Sequence, residues 1–259
     1  MKQLEHEEIK GIVRDRYGDL ARSAAAGGED CCGPSCCAPE ADAATTMGLY
    51  TAGETEGLPA EALTASAGCG NPTALASLQP GETVIDFGSG GGIDCFLAAR
   101  AVGEQGRVIG IDMTTDMIDL ARSNAAKLGL TNTEFFHADM ERTPVDDDTA
   151  DILISNCVIN LAPDKEAVFR EAFRVLKPGG RLMVSDMVLV EAIPEDQAAD
   201  TANWVACLAG AELKSVYLGR IAGAGFADVE VLSETHLESD EDWRANVRSM
   251  NIKAAKPAS

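Results

Sequence analysis

From residue 82 onward the chain alternates between two spacings of apolar residues. The short, nearly unbroken apolar runs ETVIDFG, RVIGID, TEFFHAD, ADILISN and RLMVSDMV predict buried strands. Between them, Gly90 to Val102, Asp116 to Leu128 and EAVFREAFRVLK repeat their apolar positions at helical spacing, and Pro178-Gly179-Gly180 stops the last of these helices. Strands alternating with helices predict βαβ units. The expected fold is therefore α/β and Rossmann-like, with a mainly parallel, seven-stranded sheet and helices on both faces.

The flanks follow other patterns. Ile9, Ile12, Val13, Tyr17 and Leu20 give residues 4–24 one apolar stripe, which predicts a polar amphipathic helix. The stretch AAAGGEDCCGPSCCAPEADAATT has no periodic face and reads as a flexible loop. A short helix around 57–66 leads into the turn Gly68-Cys69-Gly70-Asn71-Pro72. Residues 195–224 predict two helices inserted before a last strand, FADVEVL, and SMNIKAAKPAS is expected to add an edge strand. Three segments result: 1–56 as N-terminal helix and Cys-rich loop, 57–194 as a nucleotide-binding core, and 195–259 as a helical cap with C-terminal strands.

Charge narrows the partners. Acids outnumber bases 42 to 21, a net charge of −21, spread along the whole chain. Binding nucleic acid requires clustered Lys and Arg, and an anionic membrane surface requires the same, so both are excluded as partners. An acidic, Lys-poor surface is that of a protein kept soluble in high salt. The start, MKQLEHEEIK, is polar and lacks the apolar region of a signal peptide, and no run reaches the length of a membrane span. The expected location is the cytoplasm, where thiols stay reduced.

The sharpest local pattern is Asp86-Phe87-Gly88-Ser89-Gly90-Gly91-Gly92, which closes a strand and opens a helix. Glycines let backbone approach a ligand closely. An acid two residues before the first glycine would repel a pyrophosphate, but it suits a cationic or zwitterionic ligand such as the amino-acid end of S-adenosylmethionine. Asp112, about twenty residues past the glycines at the end of the next strand, is placed to accept both ribose hydroxyls. The cofactor set read this way is Asp86, Gly88, Ser89, Gly90, Asp112 and Met113, with Asp139 and Met140 after the third strand and Asn156 after the fourth. A helix cap or surface acid is the competing reading of Asp139.

Eight cysteines pose the remaining question. Cys95, in GIDCFLAAR, falls on a core-facing helix and is assigned to packing. Zinc fits the doublets Cys31-Cys32 and Cys36-Cys37 poorly, because adjacent cysteines chelate a tetrahedral ion less well than a C-x-x-C pair, and His6, His137 and His236 are scattered. Cys69, Cys157 and Cys207 lie on three separate segments and match a three-coordinate thiophile better. Trivalent arsenic binds three sulfurs in a pyramid and keeps an exposed lone pair, a nucleophile for a sulfonium methyl group.

Taken together, SAGCGNPTAL, TVIDFGSGGGIDC, ISNCVINL, REAFRVLKPGGRLMVSD and WVACLAGA resemble the arsenite S-adenosylmethionine methyltransferase family, within the class I methyltransferases. The N-terminal helix followed by CCGPSCC, and the closing NIKAAKP, are similar to the same family, so the resemblance covers essentially the whole chain. It implies arsenic held by Cys69, Cys157 and Cys207, with Cys31 or Cys32 joining in disulfide exchange during turnover. It further implies S-adenosylmethionine as methyl donor, arsenite or its thiol conjugates as substrate, and a thiol reductant such as thioredoxin or glutathione. Two rival readings are a methyltransferase acting on a carbon or oxygen atom, and a non-catalytic thiol protein that binds metalloids. The first leaves the thiols unexplained, and the intact Asp86, Gly88, Gly90 and Asp112 set speaks against the second.

Overall fold

A computed structural model describes residues 6–27, 49–198, 200–236 and 242–258. The apolar runs form strands β1 (Thr83–Phe87), β2 (Arg107–Asp112), β3 (Thr133–His137), β4 (Ala150–Asn156) and β5 (Leu176–Leu189), followed by β6 (Glu212–Leu213), β7 (Ala227–His236) and β8 (Val247–Ala255). The helices are α1 (His6–Ala25), α2 (Ala52–Thr55), α3 (Ala60–Thr64), α4 (Pro72–Leu75), α5 (Ile93–Val102), α6 (Thr115–Leu128), α7 (Lys165–Val175), α8 (Glu195–Ala198), α9 (Thr201–Val205) and α10 (Lys214–Gly223). Among the described residues no helix is long and apolar enough to cross a membrane. Cys31, Cys32, Cys36 and Cys37 lie outside the described residues.

The sheet runs β3-β2-β1-β4-β5-β8-β7, with the two-residue β6 paired to β5 off this path. Neighbours from β3 to β5 are parallel; β8 is antiparallel to both β5 and β7. Seven principal strands in a mainly parallel sheet agree with the expectation. The strand order reverses between β1 and β4, and in open α/β sheets a crevice for ligands opens at that point, outside the carboxyl ends of the strands.

Side-chain alternation divides the core between the two faces. Ile85, Phe87 and Leu153 pack with Phe169 of α7 on one face, while Val84, Ile152 and Ile154 pack with Cys95 and Phe96 of α5 on the other. Cys95 is fully buried, as its assignment to packing requires.

Three expectations need correction. The α7 helix ends at Val175 and the chain is already extended at Leu176. Pro178 disfavours the helical region for the residue before it, and the register with β4 shifts between Ala150 and Ile152 to take up the extra residues Lys177–Gly180. The C-terminal run is not an edge strand: β8 pairs with β5 from Arg181↔Ala255 to Leu189↔Val247 and buries Met250, Ile252 and Ala254 completely. The edge is β7, whose alternating charged residues suit exposure. Residues 195–224 hold three short helices and β6, where two helices were expected.

Candidate active site

Three loops at the β1/β4 reversal converge on one cleft. The loop after β1 supplies Gly88, Ser89 and Gly90; the end of β2 supplies Asp112 and Met113; the end of β4 supplies Asn156 and Cys157. Gly88 is at φ +75, and a Cβ there would meet Val158 side-chain atoms at 2.5–2.6 Å, so only glycine permits this approach. Asp112 fastens the loop in place: its Oδ2 accepts the Gly90 N–H (3.0 Å) and its Oδ1 the Thr114 N–H (2.8 Å). Burial pushes the Asp112 carboxyl up, and these two backbone N–H groups oppose that rise.

Several walls of the cleft were not legible in the sequence. Lys10, Val13 and Tyr17 of α1 line it, so the N-terminal helix covers the crevice directly. Lys10 forms ion pairs with Asp139 (3.5 Å) and Glu141 (3.0 Å). Met140 lines the cleft with Glu141, whereas Asp139 is outside the lining. Asp86 is also outside it. Strand alternation turns its side chain to the α5 face, where its Oδ2 accepts the Cys95 S–H (3.2 Å) and the carboxyl is buried. The acid that does face the cleft from this region is Asp94, at the start of α5.

Asn156 joins the cleft to the thiols. Its Oδ1 accepts the N–H groups of Cys69 (3.0 Å) and Gly70 (3.2 Å). Its Nδ2 lies 2.8 Å from Gly70 O, 3.0 Å from Tyr50 Oη and 3.1 Å from Asp94 Oδ2. A Cβ at Gly68 would fall 2.4 Å from Asn156 Nδ2, and one at Gly70 would fall 2.6 Å from Ser185. The Gly-Cys-Gly turn thus exists so that backbone can lie against β4 and β5.

Cys69, Cys157 and Cys207 meet at this junction. The sulfurs of Cys69 and Cys157 and a carboxylate oxygen of Asp186 lie within 4.8 Å of one another. The Cys69 S–H points to Ser185 O (3.6 Å), and Cys157 and Cys207 pack in one apolar cluster with Cys69 against it. The Cys207 S–H also donates to Cys157 O (2.7 Å). Cys157 and Cys207 sit at φ +59 and +61, a region that costs non-glycine residues energy and clusters at functional sites. Apolar side chains from α1 and α9, among them Ile9, Val13 and Trp204, surround the group. Hydrogen bonds from its neighbours, then burial, push the Cys157 thiol well up, and burial raises Cys69, so both rest as neutral thiols.

Asp186, missed by sequence reasoning, is fully buried on β5 and pushed up to about 6, chiefly by burial. An acid within the apolar run RLMVSDMV was the available signal. Burial likewise raises Asp86, Asp94 and Asp112. A carboxyl whose pKa is higher folded than unfolded binds its proton more tightly in the native state, so its contribution to stability falls as pH rises through the folded value. The protein is expected to melt at a higher temperature at pH 5.5 than at 7.5, with Asp186 alone contributing about 1 kcal/mol. A melting temperature that falls between pH 7.5 and 5.5 in thermal scans would contradict this.

Residues 78–247 match the family described as a methyltransferase domain. An arsenite methyltransferase of Halobacterium salinarum is 40% identical over 97% of this chain and 68% of its own length. This chain belongs to that family. The arsenite methyltransferase of Aquipseudomonas alcaligenes is 36% identical over 64% of the chain, which spans only half of that relative. Among solved structures, CrArsM, an arsenic(III) S-adenosylmethionine methyltransferase from Chlamydomonas reinhardtii, superposes with a TM-score of 0.65 at 30% identity, covering 85% of this chain and 74% of its own. As a member of this methyltransferase family, the chain takes S-adenosylmethionine as methyl donor.

The cleft suits that cofactor. Asp94, Asp112 and Glu141 face it, which favours a sulfonium and an ammonium over phosphates, and the buried Ser89 Oγ beside the glycine loop has no protein partner.

Proposed function

We propose that this chain transfers methyl groups from S-adenosylmethionine to trivalent arsenic held by Cys69, Cys157 and Cys207. The observation that carries this reading is the position of Cys157, which lines the cofactor cleft, has its sulfur within 4.8 Å of the Cys69 sulfur and accepts the Cys207 S–H at its carbonyl. The gathered thiols hold the substrate against the donor, and proximity of this kind supplies much of a transfer rate.

The Gly88–Gly90 backbone and Asp112 hold the donor's ribose end, Met113 and Met140 offer apolar walls to adenine, and Asp94 faces the amino group. S-adenosylmethionine, when bound, supplies an electrophilic methyl on a sulfonium. Because Cys69 and Cys157 rest protonated, arsenic must arrive bearing its own acceptors, hydroxide or thiolate, which leave carrying the cysteine protons. The arsenic lone pair then attacks the methyl carbon. No general base is needed, since neither reactant loses a proton in that step. Arsenic rises formally from trivalent to pentavalent, and a thiol reductant such as thioredoxin or glutathione returns the two electrons, with Cys31 or Cys32 taking part in disulfide exchange.

Purified protein incubated with arsenite, glutathione and isotopically labelled S-adenosylmethionine is expected to yield labelled methylarsenicals by chromatographic speciation. No methylated arsenic under reducing conditions would overturn the reading. Transfer to a quinone-type acceptor that survives thiol alkylation would favour a carbon or oxygen methyltransferase instead.

A further inference from the structure

Asp186 has no place in the scheme above, yet its carboxylate is packed against the thiols. It is fully buried, and both oxygens are supplied with donors. Oδ1 accepts from Asn160 Nδ2 (2.8 Å) and Met187 N (2.9 Å), and Oδ2 accepts from Tyr217 Oη (2.9 Å) and Asn160 N (3.3 Å). Lys165 acts on it as a counter-charge only from a distance, without an ion pair. Among the described residues, no Lys, Arg or His nitrogen forms an ion pair with it. The nearby buried Lys165 instead donates to Asn160 O (3.3 Å) and Ala162 O (3.1 Å). Taking a carboxylate out of water without an ion-paired cation is costly, so such an anion favours a positive charge that arrives beside it.

The proposed reaction delivers one. When the arsenic lone pair forms the As–C bond, the methyl C–S bond breaks and its electron pair stays on sulfur. The sulfonium becomes a neutral thioether, and the unit positive charge moves onto arsenic, which goes from trivalent to pentavalent. Arsenic bound by Cys69 and Cys157 faces the carboxylate that lies within 4.8 Å of both sulfurs. We propose that Asp186 is the fixed counter-charge for arsenic, stabilising the positive charge that methyl transfer places there. This rests on the arsenic reading above. The four donors serve it by fixing the carboxylate before reaction, so little reorganisation accompanies the charge shift.

Asp186→Asn is nearly isosteric and removes the charge. Arsenite binding, followed through the fluorescence of Trp204 beside Cys207, is expected to stay within about threefold of wild type, since no arsenic ligand is lost. The single-turnover rate of methyl transfer is expected to fall about thirtyfold, the order of a lost charge-stabilising contact. Asp186→Glu is expected to recover much of that rate. Tyr217→Phe keeps the charge and removes one of the four donors, so its transfer rate is expected to fall only about threefold, and it remains informative if Asp186→Asn fails to fold. The proposal is overturned if Asp186→Asn transfers methyl within threefold of wild type, or loses arsenite binding in parallel with rate. A collapse in Tyr217→Phe with binding intact would also overturn it, by showing that the network, not the charge, matters. If wild type forms no methylarsenic, the arsenic reading falls and takes this proposal with it; normal wild-type turnover with an unaffected Asp186→Asn removes this proposal alone.

Discussion

Replacing Cys157 by Ser is expected to lower methyl transfer to arsenic by at least about a thousandfold, roughly 4 kcal/mol of barrier, while S-adenosylmethionine binds as before. The asymmetry follows from the residue's position. Cys157 stands between the other two thiols, its sulfur within 4.8 Å of the Cys69 sulfur and its carbonyl accepting the Cys207 S–H, so loss of its thiol leaves those two without their shared neighbour. It is also the thiol that lines the cleft, so an arsenic held by the remaining pair would sit farther from the donor. A hydroxyl is a poor ligand for a thiophile, and one lost ligand removes the three-sulfur pyramid that exposes the lone pair. The cofactor walls should persist. Serine is smaller by little, and the backbone bond that holds the loop, Cys157 N–H to Ser185 O at 2.7 Å, does not involve the side chain. Calorimetric titration of the cofactor beside single-turnover transfer separates the two effects. A Cys157→Ser protein that keeps a tenth of wild-type rate would refute the three-thiol site.

The second large effect is expected at Asp112, on the opposite side of the cleft. Asp112→Ala should weaken S-adenosylmethionine binding at least about 100-fold, since hydrogen bonds to a charged group contribute roughly 1.5–3 kcal/mol each and two ribose hydroxyls are involved. The loss has a second source. Asp112 ties the glycine loop to β2 through Gly90 N–H and opens the turn to α6 through Thr114 N–H, so without it two backbone donors lose their partner. Arsenite binding should be untouched, because Asp112 makes no hydrogen bond to the thiol group. At saturating cofactor, the transfer rate should return to within a few fold of wild type. Equal cofactor affinity in the variant would show that the ribose is held elsewhere.

These two residues also mark how far the sequence could be read. Asp112 was legible because its place depends on local order: an apolar strand ends, an acid follows, and a helix begins. Asp86 shows the limit of the same logic. Its position in the chain is as regular, but a strand points successive side chains to opposite faces, and which face meets the crevice depends on what packs there. The three thiols could be named as a set from their places on three separate segments, and again through family resemblance. Their meeting rests on contacts between residues 50 to 116 positions apart: Cys207 with Cys157, and Cys69 with Asn156 and Ser185.

By itself the sequence determined the α/β alternation, the glycine loop and its acid at Asp112, and the burial of Cys95, because each is written in the short-range periodicity that burial imposes. Tertiary structure alone decided the rest. It seated β8 inside the sheet and β7 at its edge, laid α1 across the cleft, and turned Asp86 away while Asp94 faced in. It also set Asp186 beside the sulfurs of Cys69 and Cys157. Those placements follow from strand order and helix packing, which are fixed by long-range pairing between segments whose local patterns allow several partners.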